Sequence, residues 1–360
     1  MEKVVIGHLD SSIDEFRVVF DLDTSFQSRI DHWVVFALRK RVKTLELDFQ
    51  PVIERMDTDY TRGGLFIDYS NSLASLSLNF VNITSEIVDS ILLSCPFLEN
   101  LHIRKSIFLT SIKSQSSSLK QLDVSHCDKL QTIDISAPNM VFFKYFGQPI
   151  ELNIRNAVSL SSLFIGAGTG LEITYAFEPM SKYFSQLEFL YLQISLGCSF
   201  VPPVSAHLHL TVSSAYNLGV EHLKLPLLTR LKVLDLYITG DHSVSLLGWT
   251  PLIEACPVLE KLTVKFNCID YGVNRFISKR NGSALKSLKT LEIFGYCGRR
   301  IDIELASFVI ENAINLQRVV VDVYTFRRKL SIPKGDPIRI DELKKMIPED
   351  VTFMLTEDVQ

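Results

Sequence analysis

One phrase recurs along almost the whole chain: an aliphatic residue, two others, a second aliphatic, one other, and a third aliphatic. It stands at Val42/Leu45/Leu47, Leu73/Leu76/Leu78, Leu98/Leu101/Ile103, Leu119/Leu122/Val124, Leu130/Ile133/Ile135 and Leu160/Leu163/Ile165. It continues at Leu187/Leu190/Leu192, Leu231/Leu234/Leu236, Leu259/Leu262/Val264, Leu288/Leu291/Ile293 and Leu316/Val319/Val321, with an aromatic form at Met140/Phe143/Tyr145. The last four copies begin at Leu231, Leu259, Leu288 and Leu316, at intervals of 28, 29 and 28 residues. Two aliphatics spaced two apart point to the same side of a strand, and the one three residues earlier tucks the incoming turn beneath it. No such strand can bury its apolar side alone, so successive copies must stack in parallel.

This phrase at a period of about 20–29 residues is that of a leucine-rich repeat. The expected fold is α/β, a leucine-rich-repeat solenoid or horseshoe with a parallel sheet on the concave face. A chain of 360 residues with 47% hydrophobic content exceeds the size at which single cores stop growing, about 250–300 residues, which suits an elongated repeat fold. Between strands the returning segments read as helices or irregular turns. Ile87, Ile91 and Leu92 fall at helical spacing within 84–94 before Cys95-Pro96 stops the helix, and 246–255 does the same before Cys256-Pro257. Cys95-Pro96-Phe97-Leu98-Glu99-Asn100-Leu101 returns as Cys256-Pro257-Val258-Leu259-Glu260-Lys261-Leu262, which marks both cysteines as packing residues at a helix-to-strand corner. Residues 1–41 differ: Phe16, Val18, Phe20 and Leu22 alternate as in a strand, then Ile30, Trp33, Val34, Ala37 and Leu38 mark one helical face. They read as an N-terminal strand–helix cap, 42–280 as irregular repeats, and 281–360 as the last repeats closed by a short helix at 340–347 and a strand at 351–355.

Several phrases together resemble the plant F-box proteins with leucine-rich repeats and a C-terminal FBD-type region. Ile30-Asp31-His32-Trp33 with Ala37, Arg39 and the strand at 42–47 is similar to the start of their repeat region. The two Cys-Pro phrases and 133–139, Ile-Asp-Ile-Ser-Ala-Pro-Asn, are similar to its interior. Leu288, Leu291-Glu292, Gly295-Tyr296, Gly298, Asp302, Glu304-Leu305-Ala306 and Glu311-Asn312-Ala313 resemble the FBD-like segment. The resemblance implies a substrate-recognition subunit of a cullin-type ubiquitin ligase, in which an F-box holds a Skp-type adaptor and the repeats select a target protein. The helical F-box with its early Leu-Pro is missing here, because the chain already reads as strand by Phe16. Adaptor binding is therefore expected only of a longer product that carries an F-box, and the alternative function is an interaction scaffold with no ligase link.

A formal charge of -4 and a pI near 6.1 give no general attraction to phosphate backbones, so nucleic acid is not an expected partner. The start, Met-Glu-Lys-Val-Val-Ile-Gly, has no basic segment followed by an apolar stretch, and no run reaches the ~18 apolar residues that span a bilayer. The six cysteines, at 95, 127, 198, 256, 268 and 297, lack zinc-finger spacing and suit reduced thiols in cytoplasm or nucleus. Asn82-Ile83-Thr84 and Asn281-Gly282-Ser283 match the glycosylation acceptor but are read as unmodified.

No catalytic residue, cofactor or metal site is expected. In Ile165-Gly166-Ala167-Gly168-Thr169-Gly170 the third glycine comes one residue too early for a dinucleotide loop, so an inter-repeat turn is the better reading. His126-Cys127-Asp128 has nucleophile chemistry on paper, but neighbouring extended residues point to opposite faces, and Cys127 takes a packing position after its strand. His207 and His209 lack a third ligand for zinc. Arg299-Arg300 and Arg327-Arg328-Lys329 read as solvated turns.

Alternation leaves the residues between and beside the aliphatics facing outward. They run Glu46, Asp48, Ser75, Ser77, Asn79, His102, Arg104, Asp123 and Asp134, then become Phe142, Lys144, Phe146, Phe164, Phe189, Tyr191 and Tyr237. Such an aromatic row either anchors a partner, through Phe146, Phe164, Tyr191 and Tyr237, or is covered as extra core by the long segment at 197–216.

Overall fold

The computed structural model describes residues 11–21, 26–51, 70–167, 173–196, 225–241, 245–269, 279–323 and 340–356. The chain divides into two compact units, with the boundary between Leu160 and Ser161.

The strands described in the first unit are β1 (Glu15–Val19), β2 (Thr44–Asp48), β3 (Ser75–Asn79), β4 (Asn100–Arg104), β5 (Ser111–Gln115), β6 (Gln121–Ser125), β7 (Thr132–Ser136), β8 (Phe142–Gly147) and β9 (Glu151–Arg155). β1, β2, β3, β4, β6 and β8 lie side by side, every pair parallel. Their register is the register of the repeated phrase: Leu45, Leu76, Leu101, Leu122 and Phe143 form one buried row, and Leu47, Leu78, Ile103, Val124 and Tyr145 the next. The first residue of the phrase closes a turn. Leu98 donates its backbone N–H to Cys95 O at 3.1 Å, Met140 to Ala137 O at 3.1 Å and Leu160 to Ala157 O at 3.2 Å. Each of these turns begins with a small buried residue, so Cys95 is packing, as its phrase suggested.

The structure departs from one detail of the sequence reading. Leu130/Ile133/Ile135 belongs not to the main ladder but to β7, which pairs with β5 and β9 in a separate three-stranded parallel sheet. The chain therefore alternates between two ladders from β4 to β9. The cause is repeat length: Leu98, Leu119, Met140 and Leu160 are 21, 21 and 20 residues apart, which leaves room for an extended return but not for a helix. In the 25-residue interval from Leu73 to Leu98 the return is helical. The companion phrases were weak in sequence because Ser114 replaces the last aliphatic of Leu109/Ile112 and Pro149 stands three residues before Leu152.

Two helices are described in this unit, α1 (Gln27–Arg39) and α2 (Ser85–Ser94). α1 buries Ile30, Trp33, Val34 and Ala37, the face its spacing indicated. α2 buries Val88, Ile91 and Leu92, one residue away from the expected stripe.

In the second unit β10 (Ser162–Ala167), β11 (Phe189–Leu196), β12 (Val233–Asp241), β13 (Lys261–Ile269), β14 (Thr290–Phe294), β15 (Arg318–Asp322) and β16 (Thr352–Thr356) are adjacent in chain order and parallel. The returns include α3 (Phe177–Met180), α4 (Thr250–Glu254), α5 (Arg300–Asn312) and α6 (Ile340–Met346). The same turn recurs, from Leu259 to Cys256 and from Leu316 to Ala313, at 3.2 Å each.

The segment resembling the FBD region is a buried helix start. Gly295 has φ 72°, and a Cβ there would stand 2.4 Å from Phe266 O, so only glycine fits. Asp302 Oδ2 accepts the backbone N–H groups of Cys297 at 2.9 Å and Arg299 at 3.1 Å, while the Arg299 guanidinium reaches Asp302 and Gly295 O. Arg299 is thus not a solvated turn residue as its sequence context indicated; it is buried because it neutralises Asp302. Arg300 pairs with Glu304 at 2.7 Å.

Candidate partner-binding faces

Because side chains alternate along a strand, the face opposite each buried row is set by the same register. In the first unit it is a grid. One row reads Arg17, Glu46, Ser77, His102, Asp123, Lys144, and the next Val19, Asp48, Asn79, Arg104, Ser125, Phe146. A cavity of about 450 Å3 opens over both rows, lined among others by Asn79, His102, Arg104, His126, Lys144 and Phe146.

Asp123 is the hub of this face. Lys144 Nζ donates to it at 2.7 Å, Ser125 Oγ at 2.6 Å, and His102 Nδ1 lies 3.8 Å away. Partial burial pulls its carboxyl up, but the bonds from His102, Lys144 and Ser125 outweigh that and hold it below the usual carboxylate range. Arg17 pairs with Glu46 at 2.6 Å, and Asn79 Nδ2 donates to Asp48 Oδ1 at 2.8 Å. At the strand ends Phe80, Lys105 and His126 have φ of 55°, 56° and 56°, the left-handed region that side-chain-bearing residues seldom take. His126 lies below its ordinary value, first through desolvation and then through Arg104, Lys105 and Lys144, against the opposite pull of Asp128.

The second unit presents aromatic rings. Phe164 stacks on Phe189 at 4.8 Å between ring centres and on Tyr191 at 5.6 Å. Phe164 and Tyr191 are register partners, as are Gln193 and Tyr237, and the Tyr237 hydroxyl accepts from Asn267 Nδ2 at 2.6 Å. All four aromatic anchors named from the sequence are half-buried. Phe164, Tyr191 and Tyr237 share the second unit, whereas Phe146 belongs to the first, beside Lys144 and His126. Asp134 faces outward on β7, so it is not part of either grid.

Alternation made both grids legible in sequence. It did not single out Phe80 and Lys105, whose left-handed backbone no glycine or asparagine announces. Cys127 is buried, and burial pushes its thiol up to about 11, which makes it a packing residue rather than a nucleophile. Gly168–Gly170, the segment 197–216 with His207 and His209, and Arg327-Arg328-Lys329 lie outside the described residues. Among the described residues no group of three or more His, Cys, Asp or Glu could hold a metal ion, and no helix is long and apolar enough to cross a membrane.

Comparisons with known proteins place this architecture. The family model described as At1g61320/AtMIF1, LRR domain, matches residues 62–347. The putative FBD-associated F-box protein At1g61330 of Arabidopsis thaliana is 24% identical over 355 residues, covering 89% of this chain and 76% of the relative. The FBD-associated F-box protein At1g61320 of the same plant is 23% identical over 366 residues, covering 89% and 74%. The F-box/FBD/LRR-repeat protein At1g13570 is 23% identical over 329 residues, covering 84% and 71%. With matching repeats over most of its length and the parallel ladders they produce, the chain belongs to the At1g61320/AtMIF1 leucine-rich-repeat domain family.

Proposed function

We propose that this chain recognises target proteins on the open faces of its parallel sheets, and that it does so for cullin-type ubiquitin ligases in the cytoplasm or nucleus. The observation that carries the reading is the aromatic cluster on β10–β12. Phe164, Phe189 and Tyr191 stack on the face opposite the core and keep part of their surface accessible, the composition found at the centre of binding patches. The F-box names of the relatives support the ligase connection. Phe146, Phe164, Tyr191 and Tyr237 are the proposed anchors.

The test is capture of interacting proteins by the immobilised full chain, compared with single replacements Phe146→Ser, Phe164→Ser, Tyr191→Ser and Tyr237→Ser. Each is expected to weaken capture about tenfold or more while leaving the melting temperature unchanged, as for contact anchors. If every replacement unfolds the chain, the rings are core and the reading fails. A captured protein whose turnover is unaffected by cullin inhibition would make the chain a scaffold instead.

A further inference from the structure

The charges on the first unit's open face are not evenly compensated. Glu46 is paired with Arg17, Asp123 with Lys144, and Asp48 is held by the side-chain amide of Asn79 and the backbone N–H of Gln50. Arg104 and Lys105, both exposed, have no carboxylate within ion-pair distance among the described residues, and their fields reach His126. Lys105 Nζ lies 5.6 Å from the centre of the Phe80 ring, and Lys144 Nζ lies 5.7 Å from that of Phe146. Three successive strand ends keep side-chain-bearing residues in left-handed backbone, which brings Phe80, Lys105 and His126 to the same edge; conformations of this kind gather where binding over-determines them. Asn79 borders the adjoining cavity, and its Oδ1 is buried with no hydrogen-bond partner among the described residues. A fully deprotonated anion such as sulfate has no hydrogen to donate to that oxygen, whereas a peptide backbone supplies N–H groups.

We infer that the corner formed by Arg104, Lys105 and His126, between the Phe80 and Phe146 rings, binds an acidic segment of a partner protein. Carboxylates pair with the two uncompensated cations, apolar neighbours in the segment lie against the rings, and a backbone N–H satisfies Asn79 Oδ1. The inference rests on the protein-recognition reading and gives that partner its chemistry. His126, exposed among Arg104, Lys105, Lys144 and Asp128, gains a counter-charge when the segment binds, which favours its protonated form.

The test uses the full chain and a fluorescein-labelled peptide of alternating glutamate and leucine, with a lysine–leucine peptide and an oligothymidylate as competitors. The glutamate peptide is expected to bind and to weaken with added salt. Arg104→Glu and Lys105→Glu should each raise its Kd about tenfold or more without changing the melting temperature. NMR titration of the His126 ring should show its pKa rising on binding. Tighter binding of the lysine peptide or of the oligothymidylate, or equal binding of the glutamate peptide by both variants, overturns the inference. Wild-type capture of a target protein by both variants also overturns it, while leaving the protein-recognition reading intact; absence of any protein capture by the wild-type chain counts against that reading itself.

Discussion

Asp302 has no exposed surface, and the donors described around it come from within a few residues: two backbone amides and the Arg299 guanidinium, itself buried. Burial pushes its carboxyl up and Arg299 pulls it back, so each charge depends on the other. Asp302→Ala should therefore lower stability by about 3–5 kcal/mol, the cost of leaving a buried charge unpaired, and denaturant unfolding measures it. Asp123 gives a pH effect of known sign. Its folded carboxyl lies below its ordinary 3.8, so the bonds from His102, Lys144 and Ser125 stabilise the fold above that pH and are lost as pH falls through the lowered value. Asp123→Asn should flatten the dependence of the urea midpoint on pH in that acid range; an unchanged slope would mean other carboxylates set it. The thiols differ in the same way. Burial raises those of Cys95, Cys127 and Cys256, while Cys297 is half-buried, so alkylation of the folded chain at neutral pH should reach Cys297 first of these four, read by peptide mass mapping.

Each repeat is a turn, a strand and a return, and the first two were legible because few residue types satisfy them. A buried leucine or Met140 closes the turns described above, a small residue opens most of them although Leu228 opens the one that Leu231 closes, and two aliphatics, or Phe143 and Tyr145, share one side of the strand. Leu101 and Leu262 occupy the same buried position on β4 and β13, with almost no exposed surface. Leu101→Ala and Leu262→Ala should each cost about 2–5 kcal/mol, checked by denaturant midpoints. The turn opener is more tolerant. Alanine already stands there at Ala137, Ala157 and Ala313, so Cys95→Ala should cost only about 1 kcal/mol, the worth of roughly one buried methylene. The returns were harder to read, since an amphipathic 11-residue return and an extended one differ mainly in length. That is why β5, β7 and β9 are hard to read as a second ladder from sequence, although Ile112, Ile133 and Leu152, 21 and 19 residues apart, mark it.

Across the molecule the same asymmetry holds: the register of a repeat is written in its own residues, but the chemistry of a face comes from neighbours in register and far apart in sequence. Arg17 and Glu46, or Phe164 and Tyr191, meet because whole repeats stack, and no local spacing foretells which outward charge will find a partner. Stacking also makes damage local, because each strand pairs only with the strands beside it. Hydrogen exchange of Leu262→Ala should lose protection in β12–β14 before β2–β4, and uniform loss would contradict a nearest-neighbour fold. The paired ladders of the first unit have a mechanical consequence. From β4 to β9 the chain is laced by hydrogen bonds through two sheets, so any flexing that widens one must compress or break the other. That stretch is expected to resist bending more than a single ladder does. A partner seated on it would meet a surface slow to mould itself to an imperfect guest, so selectivity there would come from rejecting shapes that do not already match, with the adjusting left to the partner.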